Sequence, residues 1–203
     1  IGEITEKEAR RVSARERKRL KEEVLTDLLP RAFVKPSRTF AWLTEDSGWL
    51  VIDTASRKLA EAVVSQLREA LGRFPATPMA PSDSPRSLMT DWLVGGKLPS
   101  GLGWGDECEL RDPVEAGAIV KCRRQDLESD EVREHLKSGK QVFQLGLELD
   151  QRMAFVLGED LIIRKLKFLD GAVDQLESDE REDMRAELGA RFALLSGEVR
   201  RLF

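Results

Sequence analysis

The sequence predicts an α+β fold: a multi-lobed subunit of antiparallel strand pairs with intervening helices and long N- and C-terminal helices. Short aromatic and β-branched segments occur in pairs separated by turn residues, as in hairpins. Segments with apolar residues at helical spacing lie between these pairs and at both ends of the chain. The chain has 203 residues, enough to bury a sizeable core.

Residues 1–29 are predicted to form one long helix, because Glu, Arg, Lys and Ala are good helix formers. Pro30 ends it, since proline removes a backbone donor. The basic run from Arg15 to Lys21 is interpreted as a solvated arm, with a phosphate-binding strip as the alternative. Near the helix end, apolar spacing predicts one buried face made of Leu20, Val24, Leu25, Leu28 and Leu29.

Phe33 lies just past the proline turn, between the basic residues Arg31 and Lys35. An aromatic side chain on such a linker either anchors against a partner or folds back into the core. The pattern alone favours a core plug.

A first ββα unit follows. Residues 38–44 and 48–53 predict a hairpin, and a helix over 56–71 ends at Gly72. Residues 73–86 hold four prolines and are predicted to be irregular. A short helix over 87–93 then leads into a glycine-rich stretch, which lacks the spacing of a phosphate-binding loop and is interpreted as a flexible turn.

The remaining segments predict a second, ββαβββ unit and a closing helix. The first strand pair should bring Cys108 and Cys122 near each other as reduced thiols. The closing helix either covers the sheet or pairs with another helix. The predicted strands are 105–111, 117–123, 140–150, 152–157 and 160–166, and the helices are 130–138 and 178–203.

The chain is therefore divided into four segments, each with its own character. They are a charged helical arm with its proline turn over 1–35, the ββα unit with its linker over 36–100, the ββαβββ unit over 101–170, and the C-terminal helix over 171–203.

Charge and composition limit the function classes. The net charge of −4 excludes a globally basic nucleic-acid binder, but residues 1–35 carry ten basic against seven acidic residues, which allows a local cationic surface. Two cysteines and one histidine provide no disulfide framework or zinc site, and they fit a reducing cytosol. No apolar run approaches the ~20 residues of a membrane helix, and no signal peptide is recognised. Because the chain starts at Ile1 without Met, we expect a fragment of a longer protein.

One cluster of residues predicts a modest nucleic-acid site. Basic and amide side chains surround a strand end and a helix start, where they can meet phosphates: Lys121, Arg123, Arg124, Gln125 and Lys140. A charged turn capped by Asp126 and Glu128 explains the same residues equally well. No nucleophile, general base or metal motif is present, so the sequence predicts a protein that is not an enzyme and needs no cofactor.

Several longer motifs carry a resemblance to a known family. They occur in order through nearly the whole chain: LKEEVLTDLLPRAF, DSGWLVIDTAS, MTDWL, CRRQDLESDEV, HLKSGKQV and FALLSGEVRRL. Together they resemble the bacterial recombination-associated RdgC family. By this resemblance the chain lacks roughly the N-terminal third of a family member and its extreme C-terminus.

The resemblance implies a sequence-independent duplex-DNA-binding protein, cytoplasmic and associated with the nucleoid. It implies a homodimeric ring whose basic hole encircles DNA and which restrains RecA-dependent recombination, acting on RecA indirectly through shared DNA. Phe33 matches the family's dimer-contact aromatic, while Arg124, Gln125 and Lys140 match its DNA-facing residues. Arg124 stands where the family has lysine, which keeps the charge and allows bidentate phosphate contact. The rival hypothesis is a non-catalytic protein–protein interaction module with a charged helical arm.

Overall fold

Helices and two antiparallel sheets make up the described chain, which confirms the predicted α+β class. The computed structural model describes residues 12–44, 48–114, 117–170, 172 and 184–202. The chain divides into two compact units, Ile1–Asp53 and Thr54–Phe203. The four-segment division remains a prediction.

The first unit begins with a helix that is shorter than predicted. Ser13 has extended backbone angles, and its side chain accepts a hydrogen bond from the Glu16 N–H at 3.2 Å, so it is the N-cap of α1, Ala14–Leu28. A single helix over 1–29 is therefore wrong at 12 and 13, and residues 1–11 lie outside the described chain. A 3-10 turn, Leu29–Arg31, contains Pro30 and ends the helical segment as predicted.

The predicted buried face of α1 is wrong. Leu20 is half-buried, but Val24, Leu25, Leu28 and Leu29 are 54% to 61% exposed. Helical spacing determines only that side chains share one face, and burial needs another element packed against that face. The core-plug interpretation of Phe33 is wrong for the same reason, because this side chain is fully exposed at 104%.

The predicted hairpin is confirmed, with short strands. Strand β1, Ala41–Leu43, pairs antiparallel with β2, Leu50–Ile52. Thr44 closes the pair, because its N–H donates to the Trp49 carbonyl at 2.8 Å and its hydroxyl oxygen accepts from the Trp49 N–H at 2.8 Å.

Local sequence signals set the helix ends of the second unit. Ser56 is the N-cap of α2, Arg57–Leu71, and Gly72 ends this helix at φ +70°. Ser84 precedes α3, Pro85–Gly95, which extends two residues beyond the predicted helix at each end. The stretch between these two helices is non-helical, as predicted. Two further helices in the described part of the chain are α4, Asp130–Lys137, and α5, Met184–Arg200.

The second unit contains one five-stranded antiparallel sheet in the order β4-β3-β5-β6-β7. This confirms the predicted ββαβββ order along the chain. The strands are β3, Leu102–Arg111; β4, Ile119–Arg123; β5, Gln141–Leu149; β6, Met153–Gly158; and β7, Ile163–Phe168.

The glycine-rich stretch is partly strand, so its interpretation as a flexible turn needs correction. Strand β3 already begins at Leu102. At Gly105, a Cβ atom would lie 2.7 Å from the backbone carbon of Gly146 on β5, and at Gly146 it would lie 2.8 Å from the Glu107 carbonyl oxygen. These two glycines therefore allow a close approach of two strands at a register shift.

The core lies on one face of this sheet. Its members come from four strands, two helices and the turn before α4: Cys108, Leu110, Cys122, Val142, Leu145, Leu147 and Phe155 from the strands, Met89, Leu93 and Val132 from α3 and α4, and Leu127 from the turn. Cys108 lies directly opposite Cys122, and both are buried free thiols, as predicted. Burial, reinforced by Cys122, raises the pKa of the Cys108 thiol, so it stays neutral at physiological pH.

Helix α3 is hydrogen-bonded to the sheet at a bulge in β5. Glu109 pairs with Gln144 but Leu110 pairs with Val142, so Phe143 is an extra residue. The Val142 N–H donates to the Thr90 hydroxyl oxygen of α3 at 2.9 Å. The same hydroxyl donates to the Arg86 carbonyl at 2.7 Å. Thr90 thus links the helix to the irregular part of the strand.

The end of α5 is tied to the hairpin between β5 and β6. The Arg152 guanidinium donates to both carboxylate oxygens of Glu198, at 2.9 and 2.5 Å, and Arg201 pairs with Asp150. Leu202 packs against the core. Of the predicted helix 178–203, residues 178–183 lie outside the described chain.

Candidate nucleic-acid interface

The charged residues that register places on the second face of the sheet are predominantly basic. Strand register places side chains of alternate residues on this face, opposite the core. Five bases stand there by register, Arg111, Lys121, Arg123, Arg164 and Lys167, with three acids, Glu107, Glu109 and Glu148. A protein with a net charge of −4 therefore has a locally cationic sheet face.

Glu109 is the buried centre of one half of this face. The residue is only 5% exposed, yet its Oε2 lies 2.9 Å from Lys121 Nζ, and its Oε1 lies 2.5 Å from Arg111 Nη2. Burial by itself raises the pKa of Glu109, but the hydrogen bonds from Lys121 and Arg111 outweigh it, so the pKa is lowered. The carboxylate stays ionised and holds both cations in place.

Phe143 brings a second arginine to the same place. The guanidinium of Arg111 lies 4.6 Å from the centre of the Phe143 ring, and that of Arg86 lies 5.0 Å from it. Arg86 is also 4.0 Å from a Glu159 carboxylate oxygen. We call Arg86, Arg111 and Lys121 the arginine–lysine cluster.

The predicted residues after β4 form a turn at the other half of the face. Arg123 is exposed opposite Glu107, and Arg124 follows it, exposed at φ +53°. The Gln125 N–H donates to the Asp106 carbonyl at 3.1 Å, and its side-chain amide donates to Glu131 Oε2 at 2.5 Å. The side chain of Gln125 is thus engaged within the protein.

The structure separates Lys140 from this turn. Lys140 directly precedes Gln141, which lies opposite Arg111, whereas Arg123 lies opposite Glu107. Four residue steps along β3 separate these two positions, or about 13 Å. Lys140 Nζ donates to Ser138 Oγ at 3.1 Å. The five predicted residues therefore do not converge on one point: Lys121 and Arg123 lie on the face by register, and Lys140 precedes the strand at the other end.

A depression of about 640 Å³ lies beside Arg124. Gly105, Gly146 and Ala154 are among its lining residues, together with three bases, Arg124, Lys165 and Lys167, and four acids, Asp106, Glu107, Asp126 and Glu148. Lys165 on β7 forms an ion pair with Glu107 on β3, although β5 and β6 lie between these strands in the sheet. The depression therefore has mixed charge.

Sequence reasoning missed Arg86, Arg111, Lys165 and Lys167. The alternation of Glu107, Glu109 and Arg111 within one strand was an available signal for a shared polar face. Arg86 gave no local signal, because it reaches the face only through the packing of α3 on the bulge.

Comparison with known proteins identifies the family. The family model described as "Putative exonuclease, RdgC" matches residues 1–203. The chain belongs to the RdgC family. The "Recombination-associated protein RdgC" of Xanthomonas campestris pv. campestris (strain B100) is 55% identical over 203 residues, which cover 100% of this chain and 67% of that relative. The RdgC protein of Stenotrophomonas maltophilia (strain R551-3) is 54% identical with the same coverage.

The two descriptions differ: the family model names an exonuclease, whereas the relatives are named for an association with recombination. Among the described residues of this RdgC chain, no three or more His, Cys, Asp or Glu side chains are grouped so that they could hold a metal ion. Over the same residues, no helix is long and apolar enough to cross a membrane.

Proposed function

We propose that this protein binds duplex DNA through its phosphate backbone, without sequence preference and without catalysis, and that it acts in recombination. The observation that carries the proposal is the sheet face with five bases against three acids. Lysine and arginine contacts to phosphates provide affinity that is independent of base sequence. The names of the relatives support a role in recombination.

Within this proposal, Lys121, Arg123, Arg124 and Lys140 contact phosphates. Their spread of about 13 Å along the face suits a duplex, which carries about one charge per 1.7 Å of helix axis. Gln125 contributes by shaping the turn that presents Arg124, because its own amide is bound to Glu131.

We further propose that the protein acts as a homodimer with Phe33 at the subunit contact. The full exposure of this side chain, next to the exposed apolar residues of α1, supports such a contact. By its family, the dimer would be a ring around DNA, associated with the nucleoid in the cytoplasm. It would restrain RecA-dependent recombination by occupying the duplex, and would affect RecA through the DNA that both bind.

The alternative function is a protein–protein interaction module. The observation that favours it is the same exposed apolar surface, which fits a different protein as well as a second copy. Tight capture of a partner together with indifference to DNA would support this alternative.

The testing experiment is fluorescence anisotropy of two labelled duplexes of unrelated sequence, titrated with the protein across a range of salt concentrations. We expect equal affinities that fall steeply with salt. Absence of binding at low salt would refute the DNA proposal. Incubation with Mg²⁺ should leave the duplexes full length, and shortened products would overturn the non-catalytic part.

The double variant Arg124→Ala, Lys140→Ala tests the predicted residues. Because each change removes one phosphate contact, the slope of log affinity against log salt should fall by about 0.9 per contact, equally for both duplexes. Arg57→Ala is the matched control, since it removes one exposed arginine that pairs with Glu61 on α2. A double variant with the wild-type slope would remove both residues from the site.

A further inference from the structure

We propose that Arg86 and Arg111 also contact the phosphates of duplex DNA. Phe143 and Glu109 hold their guanidinium groups in position before DNA binds. The proposal rests on the proposed function and deepens it, because it adds residues that neither the motifs nor the comparisons assign. Both arginines belong to the arginine–lysine cluster on the half of the sheet face next to Lys140.

Arg111 is fixed in place but keeps free hydrogen-bond donors. Its Nε and Nη2 atoms donate to Glu109 Oε1, at 2.7 and 2.5 Å. A guanidinium group has five N–H donors, so these two bonds leave three for another acceptor. The side chain is 39% exposed, which leaves it accessible to a phosphate oxygen.

Arg86 is positioned differently. Thr90 ties α3 to the β5 bulge, and Arg86 then lies over the Phe143 ring at 5.0 Å. Contact with an aromatic face orients a guanidinium group without using the N–H donors at its edge. The nearest carboxylate oxygen, on Glu159, is at 4.0 Å, the limit of an ion pair, and 38% of the side chain is exposed.

The charges also favour phosphate at this place over the depression beside Arg124. The cluster and the neighbouring Lys140 provide four bases, and the acids in contact with them are Glu109 and Glu159. The depression is lined by three bases and four acids. A phosphate group is therefore attracted to the net positive charge of the cluster, whereas the mixed charge of the depression attracts it only weakly.

This arrangement lowers the entropic cost of binding a phosphate. An arginine on a free surface loses side-chain freedom when it grips a phosphate. Here Glu109 and Phe143 have already restricted both guanidinium groups, and the planar group suits two-point contact with a phosphate. The role of Phe143 in this site is to position the arginines, because two guanidinium groups already lie over its ring.

The experiment compares Arg86→Ala, Arg111→Ala and their combination with wild type in the salt titration. For the double variant, the ratio of wild-type to variant affinity should shrink about twelvefold between 50 and 200 mM salt, as expected for two lost phosphate contacts. Arg111→Lys should keep the wild-type slope, because it retains the charge. Arg57→Ala, which removes a paired surface arginine, should change neither slope nor affinity.

Arg111→Ala also leaves Glu109 with Lys121 alone, so thermal unfolding must show that this variant is folded. Arg86→Ala leaves both Glu109 pairs in place and tests the proposal if Arg111→Ala does not fold. Wild-type slopes in Arg86→Ala and the double variant would overturn the inference while DNA binding stands. Absence of salt-dependent binding by the wild-type protein would overturn the proposed function and this inference together.

Discussion

Glu109 shows how one residue can organise a basic surface. A buried carboxylate is costly unless it is paired and hydrogen-bonded. Here Arg111 and Lys121 both bond it, and the pKa of Glu109 falls below its ordinary value of 4.5 despite the burial that opposes this shift. The acid is part of the cationic face, because it determines where two of the bases lie.

The pH dependence of stability tests this role. Since the pKa is lowered in the folded state, Glu109 stabilises the fold above its unfolded pKa, and this contribution is lost as the pH falls through the lowered value. Glu109→Gln should lower the free energy of unfolding at pH 7 by about 1–3 kcal/mol. It should also make stability less dependent on pH below about 5. Urea unfolding between pH 7 and 3 measures both effects.

Glu61→Gln is the control for this prediction. Glu61 pairs with Arg57 on the exposed surface of α2, and exposed pairs contribute little to stability. Its pH dependence should match that of the wild type. If Glu109→Gln also matched the wild type, the carboxylate would not be the organising charge.

At the scale of elements, one side-chain hydrogen bond adds to the apolar packing between α3 and β5. The bulge at Phe143 leaves the Val142 N–H in need of an acceptor, and Thr90 supplies it at 2.9 Å. Thr90→Val removes this acceptor and leaves a buried N–H unsatisfied. We expect a loss of about 1–3 kcal/mol in the free energy of unfolding, measured by urea denaturation.

Thr26→Val provides a matched comparison. Thr26 is an exposed helical threonine whose hydroxyl donates to the Glu22 carbonyl, in the same way that the Thr90 hydroxyl donates to the Arg86 carbonyl. Its replacement should change stability by no more than about 0.5 kcal/mol. Equal effects of the two variants would show that the link to β5 adds nothing.

Elements with local signals could be predicted from the sequence, and those that depend on distant partners could not. Ser56 and Gly72 set the ends of α2 because a cap acts within a few residues. The bulge at Phe143 had no such signal, since it depends on a threonine 52 positions away in the chain. The predicted burial of one face of α1 was wrong for a similar reason, because periodicity does not specify which element packs against a helix face.

The whole molecule combines a net charge of −4 with one basic sheet face, so bulk charge alone would have hidden the candidate site. The sequence located Lys121 and Arg123 correctly in one strand, because alternation and turn signals are local. It placed Lys140 beside them, and strand register separates Lys140 from Arg123 by about 13 Å. The position of Arg86 could not be predicted from the sequence, because only tertiary packing brings it to Phe143.

Self-association is also a property of the whole molecule. If Phe33 lies at the subunit contact, Phe33→Asp should convert a dimer into monomers, because a charge would be buried without a partner. Sedimentation velocity over a range of protein concentrations measures this change. Val114→Asp, at a side chain that is 89% exposed in the other unit, should leave the dimer intact. Dimers that survive Phe33→Asp would place the contact elsewhere.

Strand β7 has a consequence for behaviour at high concentration. It is one of the two edge strands of the described sheet, with a register shift against β6 and Lys165 at φ +53°. Flat, uncharged edge strands invite pairing with other chains, which leads to aggregation. The irregular backbone and the lysines of β7 oppose such pairing. The lysines of β7 thus also help to keep concentrated protein from polymerising strand to strand.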